Sequence, residues 1–212
     1  AQVFLMGDIF DFWFEYKKTV PKGFVRFLGK IAEFTDDGIP VHFFTGNHDI
    51  WIFDYLPREL GITLHREPYR VKMKGKEFYM AHGDGLGPGD GTFKLLKRIF
   101  TNGLAQWLFG RLHPNLGIAL AHKWSHNSRN VHEIPDDFRG EENEMLVQHA
   151  RQMLDQQHID YFIFGHRHVA VDYPLGDHSR YINLGDWINH YTYGVFDGEN
   201  FDLKSYSADR NS

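Results

Sequence analysis

Residues 160–173, DYFIFGHRHVAVDY, contain an apolar run that stops at a glycine and is followed by two histidines. The run Tyr161 to Phe164 predicts a buried β-strand that ends at Gly165. Side chains two residues apart lie on the same face of an extended chain, so His166 and His168 are expected to reach one spot. An isolated His-x-His is more often two surface histidines, and the interpretation therefore depends on the rest of the chain.

Length and composition limit the classes of protein to consider. The chain has 212 residues and 42% hydrophobic residues, enough for one substantial core. A net charge of −5 gives no general affinity for nucleic acid, and the lack of cysteine excludes disulfides, thiolate metal sites and cysteine nucleophiles. No apolar run approaches the roughly 20 residues of a membrane span. The chain opens inside a predicted strand without an initiator methionine, so we expect an upstream segment to be missing.

Strands and helices alternate along the chain. Apolar runs that end in glycine, aspartate or asparagine turns predict strands over 3–8 and 40–49, short strands in 180–187, 191–198 and 201–206, and a hairpin over 69–85 that turns at Lys74-Gly75. Helical spacing of apolar residues predicts outer helices over 24–38 and 141–158. This order is typical of an α/β (α+β) sandwich with helices on its outer faces, and we expect residues 1–212 to form a single domain.

Four of the predicted strands end in polar residues beside a glycine. Ligands bind at the carboxyl ends of strands in α/β sheets, and glycine leaves room there for an ion or a phosphate. Aspartate, asparagine and histidine are oxygen and nitrogen donors that suit Mn, Fe or Zn. One such turn is weak evidence, whereas four in series predict a metal centre. The four are Gly7-Asp8-Ile9-Phe10-Asp11, Gly46-Asn47-His48-Asp49, His82-Gly83-Asp84 and Gly165-His166-Arg167-His168.

The series GDxxD, GNHD, HGD and GHxH resembles the calcineurin-like metallophosphoesterase superfamily over residues 8–168. The resemblance implies a four-layer αββα sandwich and a catalytic centre of two divalent metal ions, with Mn expected and Fe or Zn as alternatives. It also implies the site residues: Asp8 bridging both ions, Asn47, His82 and His166 holding one, His168 helping to hold the other, and His48 contacting the phosphoryl group as a catalytic residue beside Asp8.

Two features of the motifs leave alternatives open. Asp49 and Asp84 are either carboxylates that orient the ligand imidazoles or simple turn and cap residues. The family's first motif, Asp-x-His, does not occur in this chain, because no histidine has aspartate two residues before it. Either the chain is a fragment or the protein has lost part of the centre. We expect a fragment, and an Asp-x-His upstream of Ala1 would restore the ligand set.

Residues 91–132 form a basic segment without a single Asp or Glu. Its apolar residues recur at helical spacing, as at Leu104, Trp107 and Leu108, which predicts a pair of amphipathic helices inserted beside the metal centre. Basic amphipathic helices are typical of membrane-surface or partner-binding elements. The alternative is that the apolar stripe packs on the sandwich and the charges are solvated. We interpret the segment as a lid over an anionic, lipid-bearing substrate. Its six basic residues are Lys94, Lys97, Arg98, Arg111, Lys123 and Arg129.

Together with GDIFDFWFEY and HGDGLGPGD, this insertion resembles the UDP-2,3-diacylglucosamine pyrophosphatases of lipid A biosynthesis. The resemblance implies hydrolysis of that substrate to UMP and 2,3-diacylglucosamine 1-phosphate by a cytoplasmic enzyme peripherally associated with the inner membrane. Its partners would be the lipid-linked UDP-sugar and the membrane surface, and not nucleic acid. The substrate-binding residues expected on this basis are Asn47, His48, Asp90, Lys123 and Arg129.

The sequence is also compatible with other functions. The chain is alternatively a phosphoesterase for a soluble nucleotide or phosphoprotein, or a non-catalytic binding module on the same scaffold. Aromatic side chains near the motifs either stack on the uracil ring or belong to the core, and the core is the commoner place for them. They are Phe12, Trp13, Phe14, Trp51 and Trp187.

Overall fold

The computed structural model describes residues 1–88, 91–131 and 138–207, with the backbone alone for residues 92, 93 and 124–131. The chain divides into two units. The first unit consists of residues 1–67 and 91–134, and the second of residues 68–90 and 135–212. The single domain predicted over 1–212 stays a prediction. No helix within the described ranges has the length and apolarity needed to cross a bilayer.

The first unit is built on a parallel sheet of three short strands in the order β1-β2-β3. Val3 pairs with Val41 and Phe43 with Leu64, and a helix follows each of the first two strands. Its elements are β1 (Val3–Leu5), α1 (Val25–Asp36), β2 (Val41–Phe44), α2 (Tyr55–Leu60), β3 (Thr63–His65), α3 (Gly91–Phe100), α4 (Gly103–Phe109) and α5 (Pro114–Val131).

The sheet and the first helix share one core. Ile31, on the apolar face of α1, is buried with Val41 and Phe43 of β2. Phe10 and Trp13, from the long loop after β1, are also fully buried in this cluster. Parallel strands bring their carboxyl ends to one edge of a sheet, so the loops after β1 and β2 both begin at that edge.

The second unit contains a mixed five-stranded sheet in the order β4-β5-β6-β8-β7 and a separate hairpin. The central strands β5, β6 and β8 run parallel, while β4 and β7 are antiparallel to their neighbours. Its elements are β4 (Tyr69–Met73), β5 (Lys76–Ala81), a 3₁₀ turn (Glu141–Asn143), α6 (Met145–Leu154), β6 (Tyr161–Phe164), β7 (Ala170–Pro174), β8 (Arg180–Leu184), β9 (Thr192–Phe196) and β10 (Phe201–Ser205).

Both faces of this sheet are covered, which explains the uninterrupted apolar sequence of β6. Phe162 and Phe164 pack with Val147 of α6 on one face. Tyr161, which points to the other face, lies 5.7 Å from Phe201 of the hairpin β9–β10, measured between ring centroids. Strands buried on both faces read as continuous apolar runs rather than alternating ones.

Most of the predicted elements are confirmed, and the α/β fold class with them. Two predictions were wrong in detail. The helix predicted over 141–158 is α6, Met145–Leu154, because residues 141–143 form a 3₁₀ turn instead. The predicted pair of helices in 91–132 is three helices, because Asn102 accepts hydrogen bonds from the amides of Leu104 and Ala105 and so starts α4, and α5 starts anew at Pro114.

Candidate metal centre

In the first unit, Asp8 is held in a strained position beside Gly46. It follows β1 by three residues, and its φ of 53° lies in the left-handed region that side chains other than glycine rarely adopt. Its Oδ1 accepts the backbone N–H of His48 at 2.9 Å. A Cβ on Gly46 would lie only 2.2 Å from that same oxygen. The glycine of the second motif is therefore what allows the first-motif carboxylate to sit here.

Asp49 joins the loop after β1, which carries Asp8, to the loop after β2, which carries Asn47 and His48. We call these three residues the half-site of the first unit. The Asp49 side chain is fully buried and accepts the backbone N–H of Gly46 at 2.7 Å and that of Ile9 at 2.9 Å. One carboxylate thus joins the loop after β2 to the loop after β1. Of the two roles considered for Asp49, these contacts are those of a structural turn residue.

Asn47 and His48 complete the half-site of the first unit. The Oδ1 atom of Asn47 is buried, and among the described residues none donates a hydrogen bond to it. A buried amide oxygen without a donor is costly and suits a bound cation. The Nδ1 atom of His48 lies 3.2 Å from the carbonyl oxygen of Asp11. A carbonyl only accepts, so Nδ1 carries a proton in this contact.

In the second unit, His82 and His166 follow neighbouring parallel strands. Ala81 of β5 is in register with Phe164 of β6, and the Gly165 amide donates to the His82 carbonyl at 3.0 Å. The two imidazole rings consequently lie edge to face with centroids 5.2 Å apart. His82 is buried and His166 partly so. These two predicted ligands are therefore brought together.

His166 and His168 do not lie in the strand, contrary to the geometry expected from the sequence. They lie in the loop between β6 and β7, with φ of 66° and 29°. The alternation of an extended chain therefore does not govern their directions. Left-handed residues of this kind cluster at functional sites, where the surrounding structure holds them.

Sequence reasoning missed Asp186, which lies beside His168. Its Oδ2 atom is 3.9 Å from the Nδ1 atom of His168 and 3.0 Å from that of His190. The signal was available in the sequence, because Gly185-Asp186 follows the apolar strand β8 just as Gly7-Asp8 follows β1. Gly-Asp is also a common turn dipeptide, so the pair alone predicts only a turn.

The structure gives less information on the other predicted site residues. Asp84 is buried, and its role in orienting an imidazole stays a prediction. Lys123 is exposed on α5. Asp90 lies outside the described residues, as does the side chain of Arg129, whose backbone belongs to α5. Their assignment to substrate binding stays a prediction.

The basic helices of the first unit pack on aromatic residues that follow the first two motifs. Phe109 of α4 lies 5.9 Å from Phe12 and 4.6 Å from Trp51, measured between ring centroids. The indole N–H of Trp51 donates to the carbonyl of Phe100 at 2.7 Å. Phe12 is four residues after Asp8, so these helices adjoin the half-site. Part of the apolar surface of these helices is thus buried, which agrees with the alternative that the apolar stripe packs on the rest of the protein.

A second apolar surface of the same helices stays open to solvent. Leu104 is 66% exposed, and Trp107 and Leu108 are each 55% exposed. The guanidinium of Arg111 lies 4.6 Å from the centroid of the Trp107 ring. Exposed large apolar side chains next to cationic ones are typical of surfaces that bind a membrane or an amphipathic ligand. We call Leu104, Trp107 and Leu108 the exposed lid face.

The aromatic residues considered for base stacking separate clearly by burial. Trp187 is 60% exposed, and its ring stacks at 5.9 Å on that of Tyr206. The other four are buried, as most large aromatics are, and their packing accounts for them without a ligand. They are Phe12, Trp13, Phe14 and Trp51.

Comparisons with known proteins agree with these motifs. A UDP-2,3-diacylglucosamine hydrolase of Porphyromonas gingivalis is 41% identical over 216 residues, which cover 96% of this chain and 82% of the relative. One of Aeromonas hydrophila is 29% identical, over 87% of this chain and 76% of the relative. Residues 1–170 match the calcineurin-like phosphoesterase family. The chain belongs to the calcineurin-like phosphoesterase family.

Proposed function

We propose that the protein hydrolyses the pyrophosphate bond of UDP-2,3-diacylglucosamine, giving UMP and 2,3-diacylglucosamine 1-phosphate. The observation that carries the proposal is the exposed lid face on helices that pack against the loops of the phosphoesterase motifs. A substrate with a pyrophosphate and two acyl chains needs polar and apolar binding surfaces close together. The name and 41% identity of the Porphyromonas relative support the same substrate.

Calcineurin-like phosphoesterases use divalent metals, and we propose two ions here, with Mn expected and Fe or Zn as alternatives. Asp8 would contribute a carboxylate oxygen to both ions, and His82 and His166 one imidazole nitrogen each to the first. Asn47 would add its buried amide oxygen to the first ion, and His168 would serve the second. This donor set of oxygen and nitrogen atoms fits Mn, Fe and Zn. Two bound cations supply Lewis-acid activation of water and neutralise phosphoryl charge.

The chain's own residues would position the phosphoryl group. His48 keeps one proton on Nδ1, which faces the carbonyl of Asp11, so Nε2 would be the atom that donates to a phosphoryl oxygen. That donation requires a second proton on the ring. Asp49 would hold both loops at fixed spacing through its two amide contacts. Preorganised donors of this kind lower the barrier of phosphoryl transfer without covalent chemistry.

The lid would recognise the lipid part of the substrate and the membrane in which it resides. The acyl chains would lie on the exposed lid face of α4, while Lys94 and Lys97 of α3 and Lys123 of α5 would attract anionic phosphates. Basic amphipathic helices also bind anionic lipid surfaces. We propose that the protein acts in the cytoplasm, at the surface of the inner membrane.

The lid is tested by making its exposed face polar. We expect the double variant Leu104→Gln, Leu108→Gln to lose about 10–100-fold in kcat/KM on the diacyl substrate, because two leucines that are each about half covered by an acyl chain together contribute about 1.5–3 kcal/mol. Activity on a small chromogenic phosphodiester should not change. The matched control is Val25→Gln, which alters an apolar side chain that is 79% exposed on α1. Equal losses on both substrates would refute lipid recognition by the lid.

The reaction itself is tested by product analysis. Hydrolysis in oxygen-18 water, followed by phosphorus NMR, should place the label in UMP, because attack is expected at the α-phosphorus. Turnover of soluble phosphodiesters without turnover of the diacyl substrate would instead favour another phosphoesterase function.

A further inference from the structure

The turn after β8 is organised by one oxygen of Asp186. Its Oδ1 atom accepts the backbone N–H groups of Ile188 at 2.8 Å, Asn189 at 2.6 Å and His190 at 3.1 Å. Three donors on one oxygen fix both the turn and the orientation of the carboxylate. Only 6% of the Asp186 side chain is exposed.

The other oxygen of Asp186 is directed at two imidazoles. Oδ2 lies 3.0 Å from Nδ1 of His190 and 3.9 Å from Nδ1 of His168. A carboxylate oxygen accepts hydrogen bonds and cannot donate one, so the His190 contact has its proton on Nδ1.

The ring of His168 lies within electrostatic reach of Asp186. Its side chain is 48% exposed, and its backbone has a φ of 29°. The distance of 3.9 Å is longer than a hydrogen bond, so the attraction by Asp186 is electrostatic and favours a proton on the nearer ring nitrogen. In neutral imidazole a proton on Nδ1 leaves the lone pair on Nε2.

We propose that Asp186 is a positioning residue for His168, which keeps the proton on Nδ1 and presents Nε2 to a divalent cation. The inference rests on the proposed function, in which His168 serves the second ion. Carboxylates that fix the tautomer of a ligand histidine typically change metal affinity about 10–100-fold when they are replaced.

The variant Asp186→Asn separates this role from the role in the turn. The three amides donate to Oδ1, so the amide oxygen of asparagine would take that place and the turn would be kept. The NH₂ group would then replace Oδ2 and face both imidazoles as a donor. The positive end of that amide would disfavour a proton on Nδ1 of His168, which shifts the proton towards Nε2 and blocks the nitrogen needed for the cation.

The matched control is Asp197→Asn. Asp197 Oδ1 accepts the backbone N–H groups of Glu199 and Asn200, both at 2.8 Å, in the turn between β9 and β10. The same chemical change is thus made in a second aspartate-centred turn of the same unit. Should Asp186→Asn fold poorly, Asp186→Ser repeats the test, since a serine hydroxyl also accepts the N–H groups of a turn.

Two measurements on the full-length protein decide the matter. Nitrogen-15 NMR of the metal-free, histidine-labelled protein reads the tautomer: Nδ1–H at His168 in wild type and Asp197→Asn, and Nε2–H in Asp186→Asn. Calorimetric titration with Mn²⁺ should show one of two ions binding about 10–100-fold more weakly in Asp186→Asn, with the other unchanged.

The outcomes also distinguish this inference from the proposed function. An unchanged tautomer together with unchanged binding of both ions in Asp186→Asn would overturn the positioning role and leave the two-ion centre standing. Binding of fewer than two ions by the wild-type protein would instead refute the two-ion centre, and the role of Asp186 with it.

Discussion

Gly46 offers the sharpest test of how the first half-site is built. In Gly46→Ala, the new Cβ would lie 2.2 Å from Asp8 Oδ1 and 2.7 Å from both Cγ and the backbone N of Asp8. Ordinary contacts with a Cβ begin at 3.4 Å. The carboxylate must therefore retreat by about 1.2 Å, and the backbone of Asp8 must move as well.

The expected cost of Gly46→Ala follows from these contacts. Crowding a packed site costs about 1–3 kcal/mol, and the bond from the His48 amide to the Asp8 carboxylate is worth about 1.5–3 kcal/mol. We therefore expect a loss of about 2.5–6 kcal/mol in the free energy of unfolding, or about 5–24 °C in Tm for a chain of this size. Metal ligands tolerate displacements of about 0.2 Å, so Mn²⁺ affinity should also fall sharply.

Thermal unfolding by circular dichroism and Mn²⁺ calorimetry measure the two effects. The control is Gly29→Ala, the same change within α1, where an added Cβ meets nothing within 4 Å. Alanine favours a helix by up to about 1 kcal/mol over glycine, so this Tm should stay level or rise. If Gly46→Ala matched wild type in both Tm and Mn²⁺ affinity, the close approach of Asp8 to Gly46 would be refuted.

Two further predictions concern the second unit. His82→Ala should lower Mn²⁺-dependent activity by orders of magnitude while the far-ultraviolet circular dichroism stays native, because a proposed ligand is lost; an active variant would remove His82 from the centre. At Asp160, burial raises the pKa of the carboxyl, but the N–H of Glu77 at 2.7 Å and the ammonium of Lys76 outweigh it and lower the pKa. Its stabilising effect is therefore present above the unfolded pKa of about 4 and lost as the pH falls further. Urea midpoints should decline less between pH 5 and pH 3 in Asp160→Asn than in wild type, and parallel declines would contradict this.

The strands were predictable because a strand that is buried on both faces has a continuous apolar sequence. Tyr161–Phe164 is apolar at all four positions and is covered on both faces of the sheet. The number of helices in the basic segment 91–132 was harder to predict. Asn102 and Pro114 are visible helix-start signals, but the apolar spacing runs across both of them and suggested longer helices.

The candidate site was predictable in its composition but not in its contacts. The glycine-flanked aspartate and histidines identified the strand ends. The approach of Asp186 to His168 depends on the hairpin of β7 and β8, in which Ala170 pairs with Leu184. Apolar periodicity does not specify that register, because both strands are short and β7 lies at the edge of its sheet.

The left-handed backbone at Asp8, His166 and His168 has a consequence for engineering this protein. Each of these residues costs about 1 kcal/mol or more relative to glycine at the same dihedral angles. Selection for heat stability alone would thus favour glycine at His166 and His168, and each change would remove a proposed metal ligand. At Asp8 the loss of the bond from the His48 amide would offset the gain. Variants from such a selection would be more stable to heat and less active.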